Sequence, residues 1–174
     1  NTINILKVIY MKKTLLLCFF CLLAISQLWA AEKPKVSVGD DDVTWYLVQM
    51  SNGKGVLTAQ GDGEEVLTGI PMGRDAQFWK IEGSATTGYT LTSRSGLTLY
   101  TTTTKQEGMF RAGKTPNANK YFVWQTTTNA NYSGDFVISP KANLGVYMNQ
   151  WGGAGTGKKL GLWNDRSDAN QPLT

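Results

Sequence analysis

The 174-residue sequence contains no histidine. That absence removes His-based acid–base catalysis, His metal sites and Ser-His-Asp triads. Cysteine is limited to Cys18 and Cys21, both inside an N-terminal apolar run. Without that run the chain has no thiol and no disulfide, which excludes Cys nucleophiles, zinc–thiolate sites and iron–sulfur clusters. Charge is scarce too, at 17% of residues. From Thr44 onward nothing sustains a helical 3.6-residue period for three turns. What is plentiful is glycine, at 19 residues, together with Thr, Val, Tyr and Trp. This is the composition of a turn-rich, all-β protein.

The N-terminal run has the grammar of an export signal. Met11-Lys12-Lys13 forms a basic start, residues 14–26 an apolar core, and Ala30-Ala31 a small-residue cleavage context. The core is shorter than the ~20 residues of a spanning helix. Residues 11–30 are therefore expected to be a signal peptide and 1–10 a non-native upstream extension. The product is expected to be secreted, periplasmic or extracellular, with no membrane contact after cleavage. Residues 31–42 form a polar, exposed lead-in. Residues 43–174 form the domain, read as truncated in its last strand because Asn170-Gln171-Pro172-Leu173-Thr174 looks like a strand in progress.

The formal net charge of +4 owes most to the leader. Lys7, Lys12 and Lys13 lie in residues 1–30 with no acid beside them, so beyond residue 30 the balance is 14 basic to 13 acidic. A near-neutral domain with scattered cations gives no groove that tracks phosphates, so no nucleic-acid partner is expected. Gly152 to Lys158 is glycine-rich and ends in Lys, but Lys159 follows and no helix pattern begins, so the phosphate-loop register is missed. It reads as a flexible loop between two strands or, alternatively, as a loop that presents Trp151. Asn164 and Asp165 read as turn residues. The acidic runs Asp40-Asp41-Asp42 and Glu64-Glu65 have no apolar frame to raise a carboxyl pKa for glycosidase chemistry. No acidic spacing of the EF-hand kind argues for calcium. No metal, cofactor or catalytic residue is assigned.

The main signal is an internal repeat. Each copy has an aromatic-led strand, a Gly/Asn/Ser turn, a second short strand, a loop, and a strand near an aromatic. The lead aromatics Tyr46, Tyr89 and Phe136 are 43 and 47 residues apart, and Trp79 and Trp124 are 45 apart. The series calls for a third closing residue near position 173. One such copy is too small to bury its own apolar face. Three around an axis share a core and let the first and last strands meet.

Three repeats of this length, with Gln77-Phe78-Trp79 closing the first, resemble the ricin-type β-trefoil lectin family. Phe122-Val123-Trp124 keeps the Trp and loses the Gln; Gln171-Pro172-Leu173 keeps the Gln and loses the Trp. The family's cysteine pairs are absent. The resemblance implies a β-trefoil, with Trp79 and Trp124 as core residues at the barrel base. It also implies a sugar site: an acidic or amide side chain, an aromatic 14 residues on, then Asn and Gln. Asn149, Trp163, Asn170 and Gln171 meet that spacing in the third repeat, with Trp151 alongside. Asn149 stands where the family usually has Asp. The indole would cover the C–H face of a pyranose and the amides would hold its hydroxyls. The corresponding places hold Thr58, Gly69 and Ala76 in the first repeat, and Thr101, about Lys114, and Tyr121 in the second; both read as structural copies. The implied function is non-catalytic binding of a glycan or polysaccharide by a module linked to a glycan-processing catalytic domain. The alternative is a trefoil that docks on protein without binding sugar.

Overall fold

The computed structural model describes residues 34–39 and 42–174. The signal-peptide and upstream-extension assignments, 11–30 and 1–10, lie outside the described residues. The remainder is nearly all β, in short strands whose alternating apolar residues face one shared interior.

In chain order the strands are β1 (Tyr46–Leu47), β2 (Val56–Thr58), β3 (Glu64–Glu65), β4 (Leu67–Gly69), β5 (Phe78–Ser84) and β6 (Gly88–Ser93). They continue with β7 (Thr98–Thr101), β8 (Phe110–Gly113), β9 (Phe122–Thr126), β10 (Phe136–Pro140), β11 (Tyr147–Gln150) and β12 (Leu160–Trp163). Five of them form a ring closed by the last residues of the chain. β1 pairs with β5 (Tyr46 opposite Trp79), β5 with β6 (Ile81 opposite Leu91), and β6 meets β9 at Tyr89 and Phe122. β9 pairs with β10 (Trp124 opposite Ile138), and β10 meets Leu173 through Phe136. Leu173 also pairs with Met50, and Gln49 and Thr174 exchange backbone bonds of 3.1 and 3.0 Å. Closure satisfies the edge groups that a half-apolar sheet would otherwise expose.

The other strands make three hairpins, β2–β4, β7–β8 and β11–β12, one per repeat. Their registers define the threefold equivalence. Leu57, Leu99 and Met148 occupy one buried place. Val66, Phe110 and Leu160 meet at the axis, where Val66 N donates to Phe110 O at 2.9 Å and Leu160 N to Val66 O at 3.2 Å. The hairpins also pair cyclically: β3 with β8, Met109 with Gly161, and Lys159 with Leu67. This is the β-trefoil.

The closing residues of the three repeats differ in packing. Trp79 is fully buried and its Nε1 donates to Leu57 O at 3.0 Å. Trp124 is only half-buried; it meets Phe136 edge-on at 6.4 Å, and its Nε1 is sealed without a partner. Leu173 fills the third place with a smaller side chain and is buried.

In the described part of the lead-in Lys35, Val38, Gly39 and Asp42 are exposed, as expected, but the segment is also docked on the domain through Ser37. Ser37 is buried, its N–H donates to Ile81 O at 2.8 Å, and its hydroxyl accepts from Thr44 N at 3.1 Å. Lys35 N donates to the Tyr46 hydroxyl at 2.7 Å, and Lys35 Nζ pairs with Asp42 at 2.9 Å. The polar residues are there to satisfy a docked backbone, which composition does not distinguish from solvation.

Candidate functional site

Hairpin β11–β12 carries the site. Asn149 faces Gly161 across the ladder, and Tyr147 faces Trp163. Gly161 and Trp163 are two apart on one strand, so they share a face. The chain leaves β11 at Trp151 and turns through Gly152 and Gly153, both at positive φ (76° and 96°), a conformation that favours glycine. The turn folds the Trp151 indole over Gly161: a Cβ built there would lie 2.8 Å from Trp151 Cε3. Trp163 stands at 76° to that ring, with centroids 6.1 Å apart.

These indoles line an open cleft of ≈ 250 Å³ with Asn149, Gly152, Gly153, Asp168 and Asn170. Asn149 is 6% exposed, and its Nδ2 is sealed from water without a hydrogen-bond partner. Asn170 is held by Asp168, whose Oδ1 accepts from Asn170 N and Nδ2, both at 2.8 Å. Of the residues expected from the sequence, Asn149, Trp151, Trp163 and Asn170 therefore converge. Gln171 does not reach the cleft. It is fully buried, with both Oε1 and Nε2 unpartnered. Asp168 lines the cleft and was missed. The available signal was an Asp two residues before an Asn, the pattern of an Asx turn.

The loop that follows is anchored rather than flexible. Gly155 O accepts from Thr68 Oγ1 at 2.7 Å and from Gln150 Nε2 at 2.8 Å, and Gly157 N donates to Thr68 O at 2.6 Å. Gln150 Oε1 in turn accepts from Asn52 Nδ2 at 2.7 Å, so the first repeat supports the floor behind Trp151.

The same places in the other repeats are filled. By register Thr58 and Gly69 match Asn149 and Trp163 in the first repeat. There Gln77, the counterpart of Gln171, is fully engaged. Its Nε2 donates to Ile70 O at 2.7 Å and to Thr58 Oγ1 at 3.2 Å, while its Oε1 accepts from Met72 N at 2.8 Å. In the second repeat the register assigns Tyr100 and Gly113, correcting Thr101 and Lys114 by one residue. A Cβ on Gly113 would contact Tyr100 at 3.4 Å and Asp62 Oδ1 at 3.1 Å, so an aromatic has no room there.

Two acids outside the cleft are engaged locally. Glu65 pairs with Lys159 at 2.8 Å. Asp165 Oδ1 accepts from the Ser167 hydroxyl at 2.7 Å and from Ser167 N at 2.9 Å, which lowers its carboxyl below the ordinary 3.8. This makes it a turn residue, as expected. Among the described residues no three His, Cys, Asp or Glu side chains gather to hold a metal.

Known structures share this fold. A ricin B-like lectin of Macrolepiota procera, solved in complex with lactose, matches with TM-score 0.63 and 19% identity over 81% of this chain and 97% of the lectin. The designed threefold-symmetric protein ThreeFoil matches with TM-score 0.62 and 17% identity over 74% of this chain and 95% of its own. A mosquitocidal holotoxin matches with TM-score 0.64 and 17% identity over 75% of this chain, which spans 17% of the toxin's length. By sequence, no family model and no curated protein matches.

Proposed function

We propose that this domain binds carbohydrate without transforming it, through the cleft on its third repeat. The observation that carries the reading is the contrast between repeats. Where the first repeat has Thr58 and Gly69 and the second has Tyr100 and Gly113, the third has Asn149 and Trp163, which line an open cleft together with Trp151. The indoles supply an apolar surface for a pyranose C–H face. Asn149, Asp168 and Asn170 on a recessed wall suit hydroxyls better than they suit a flat protein partner.

The lactose-bound fungal lectin of the same fold supports this reading. A single shallow site is expected to bind with Kd on the order of 1 mM, about 4 kcal/mol. Such weakness favours a tethered module, with avidity supplied by a linked glycan-processing domain, on a protein exported by residues 11–30.

One observation favours protein docking as a second reading. Ile70 and Met72 are 64% and 61% exposed on a loop that Gln77 holds in place. Glycan-array binding followed by titration separates the two. Trp163→Ala is expected to abolish glycan binding while the exposed control Lys114→Ala leaves it intact. No glycan bound by the wild-type chain, or equal binding by Trp163→Ala, would overturn the carbohydrate reading. Gly69 is unsuitable as a control because a Cβ there would lie 3.1 Å from Gln77 Nε2.

A further inference from the structure

Asp168 carries more charge than the fold asks of it. Its Oδ1 closes the turn to Asn170, and one acceptor oxygen is enough for that; an amide would serve equally. Among the described residues its carboxylate is in no ion pair, and no Lys or Arg lines the cleft. Its walls also include two indoles set edge to face, with planes meeting at 76°. An aromatic face carries the negative side of its quadrupole. A carboxylate beside aromatic rings, with no Lys or Arg among the cleft walls, builds a field that favours positive charge. A neutral hydroxyl gains little from it, whereas an ammonium gains from both the carboxylate and the rings.

Resting on the carbohydrate reading above, we infer that the ligand class of this cleft is an amino sugar with its amine free and protonated. The ammonium sits between Asp168 and the indoles, and Asn149 and Asn170 take the neighbouring hydroxyls. N-acetylation removes the charge, so the cleft discriminates between free and acetylated forms of one sugar. Sugars carrying carboxylate or sulfate at that position are repelled.

An exposed ion pair and a half-exposed cation–π contact together give the free amine an advantage of about five- to ten-fold. The test titrates the full chain at mildly acidic pH with two series of matched ligands. In the gluco series these are chitosan oligomers, chitin oligomers of the same length and cello-oligosaccharides. In the galacto series they are galactosamine, N-acetylgalactosamine and galactose. The expected result is tighter binding of the free amine within a series, a preference that shrinks as salt is raised, and its collapse in Asp168→Asn. Equal binding of amine, acetamide and hydroxyl forms by the wild-type chain would overturn the inference and leave the carbohydrate reading intact. So would a preference that Asp168→Asn retains. Binding of no sugar in either series, or on a wider array, would remove both. The salt dependence is read on the wild-type chain, so it decides the matter even if Asp168→Asn folds poorly.

Discussion

Gly161→Ala separates the position of Trp151 from its presence. The glycine has no positive φ to protect, so alanine fits the backbone. Its Cβ does not fit the space, lying 2.8 Å from Trp151 Cε3 and 3.3 Å from Met109 Sδ. The methionine can yield, being unbranched and flexible. The indole must retreat by about 0.7 Å to restore an ordinary carbon contact of roughly 3.5 Å. It is half-exposed and free to swing outward, so the stability cost is expected to stay below about 1 kcal/mol, under the usual 1–3 kcal/mol of overpacking in a closed core. Binding suffers more. Tilting one wall of the cleft removes most of a stacking contact of about 0.5–1.5 kcal/mol, a three- to ten-fold weaker Kd. Isothermal titration with a glycan that binds the wild-type chain reads the affinity, a thermal melt reads stability, and indole fluorescence reports the displaced ring. Unchanged affinity together with an altered fluorescence spectrum would refute the role given to Trp151. Loss of affinity with a collapsed melt would refute the claim that the packing there is loose.

Other perturbations test the fold and its turns. Trp79→Leu, which copies Leu173 into the first repeat, is expected to destabilise by about 3 kcal/mol, through lost volume and an unpaired Leu57 carbonyl, measured by urea unfolding. A change below about 1 kcal/mol would show that the three closing places are interchangeable. Gln77→Ala is expected to release the Ile70–Met72 loop, seen as faster proteolysis there, with glycan binding untouched. Asp165 titrates below its unfolded value, so its contribution is full above about pH 4 and fades as pH falls through the folded pKa. Ser167→Ala should return that titration toward 3.8, followed by carboxyl NMR shifts.

Much of this was legible in the residues, and the failures have physical causes. The threefold plan shows because Tyr46, Tyr89 and Phe136 lead strands at near-equal intervals and Trp79 and Trp124 close two of them. The same interval points to position 173, where Leu173 pairs with Met50 and Phe136, although a leucine carries no signal of its own. The one-residue slip from Tyr100 to Thr101 arose because hairpin loops differ in length, and only ladder pairing fixes register. Gln171 was found by its motif, but motif spacing does not say which way the side chain points; it is sealed inside. Asp168 escaped because its place in the cleft is made by a turn, which depends on backbone conformation rather than spacing. The docking of Ser37 was hidden for a similar reason: a polar composition describes side chains and says nothing of where the backbone bonds go.

The ring formed by β1, β5, β6, β9, β10 and the Leu173 segment has a topological corollary. Pro34 and Thr174 line one small apolar hollow together with Trp124 and Phe136, so the described polypeptide enters and leaves side by side. A circle of this kind has no privileged first strand. A circular permutant that joins 174 to 34 by a short linker and opens at the exposed Ala85–Thr86 turn keeps each barrel pairing and each hairpin. Its third repeat would then sit in mid-sequence, flanked by covalent neighbours on both sides, with the cleft intact.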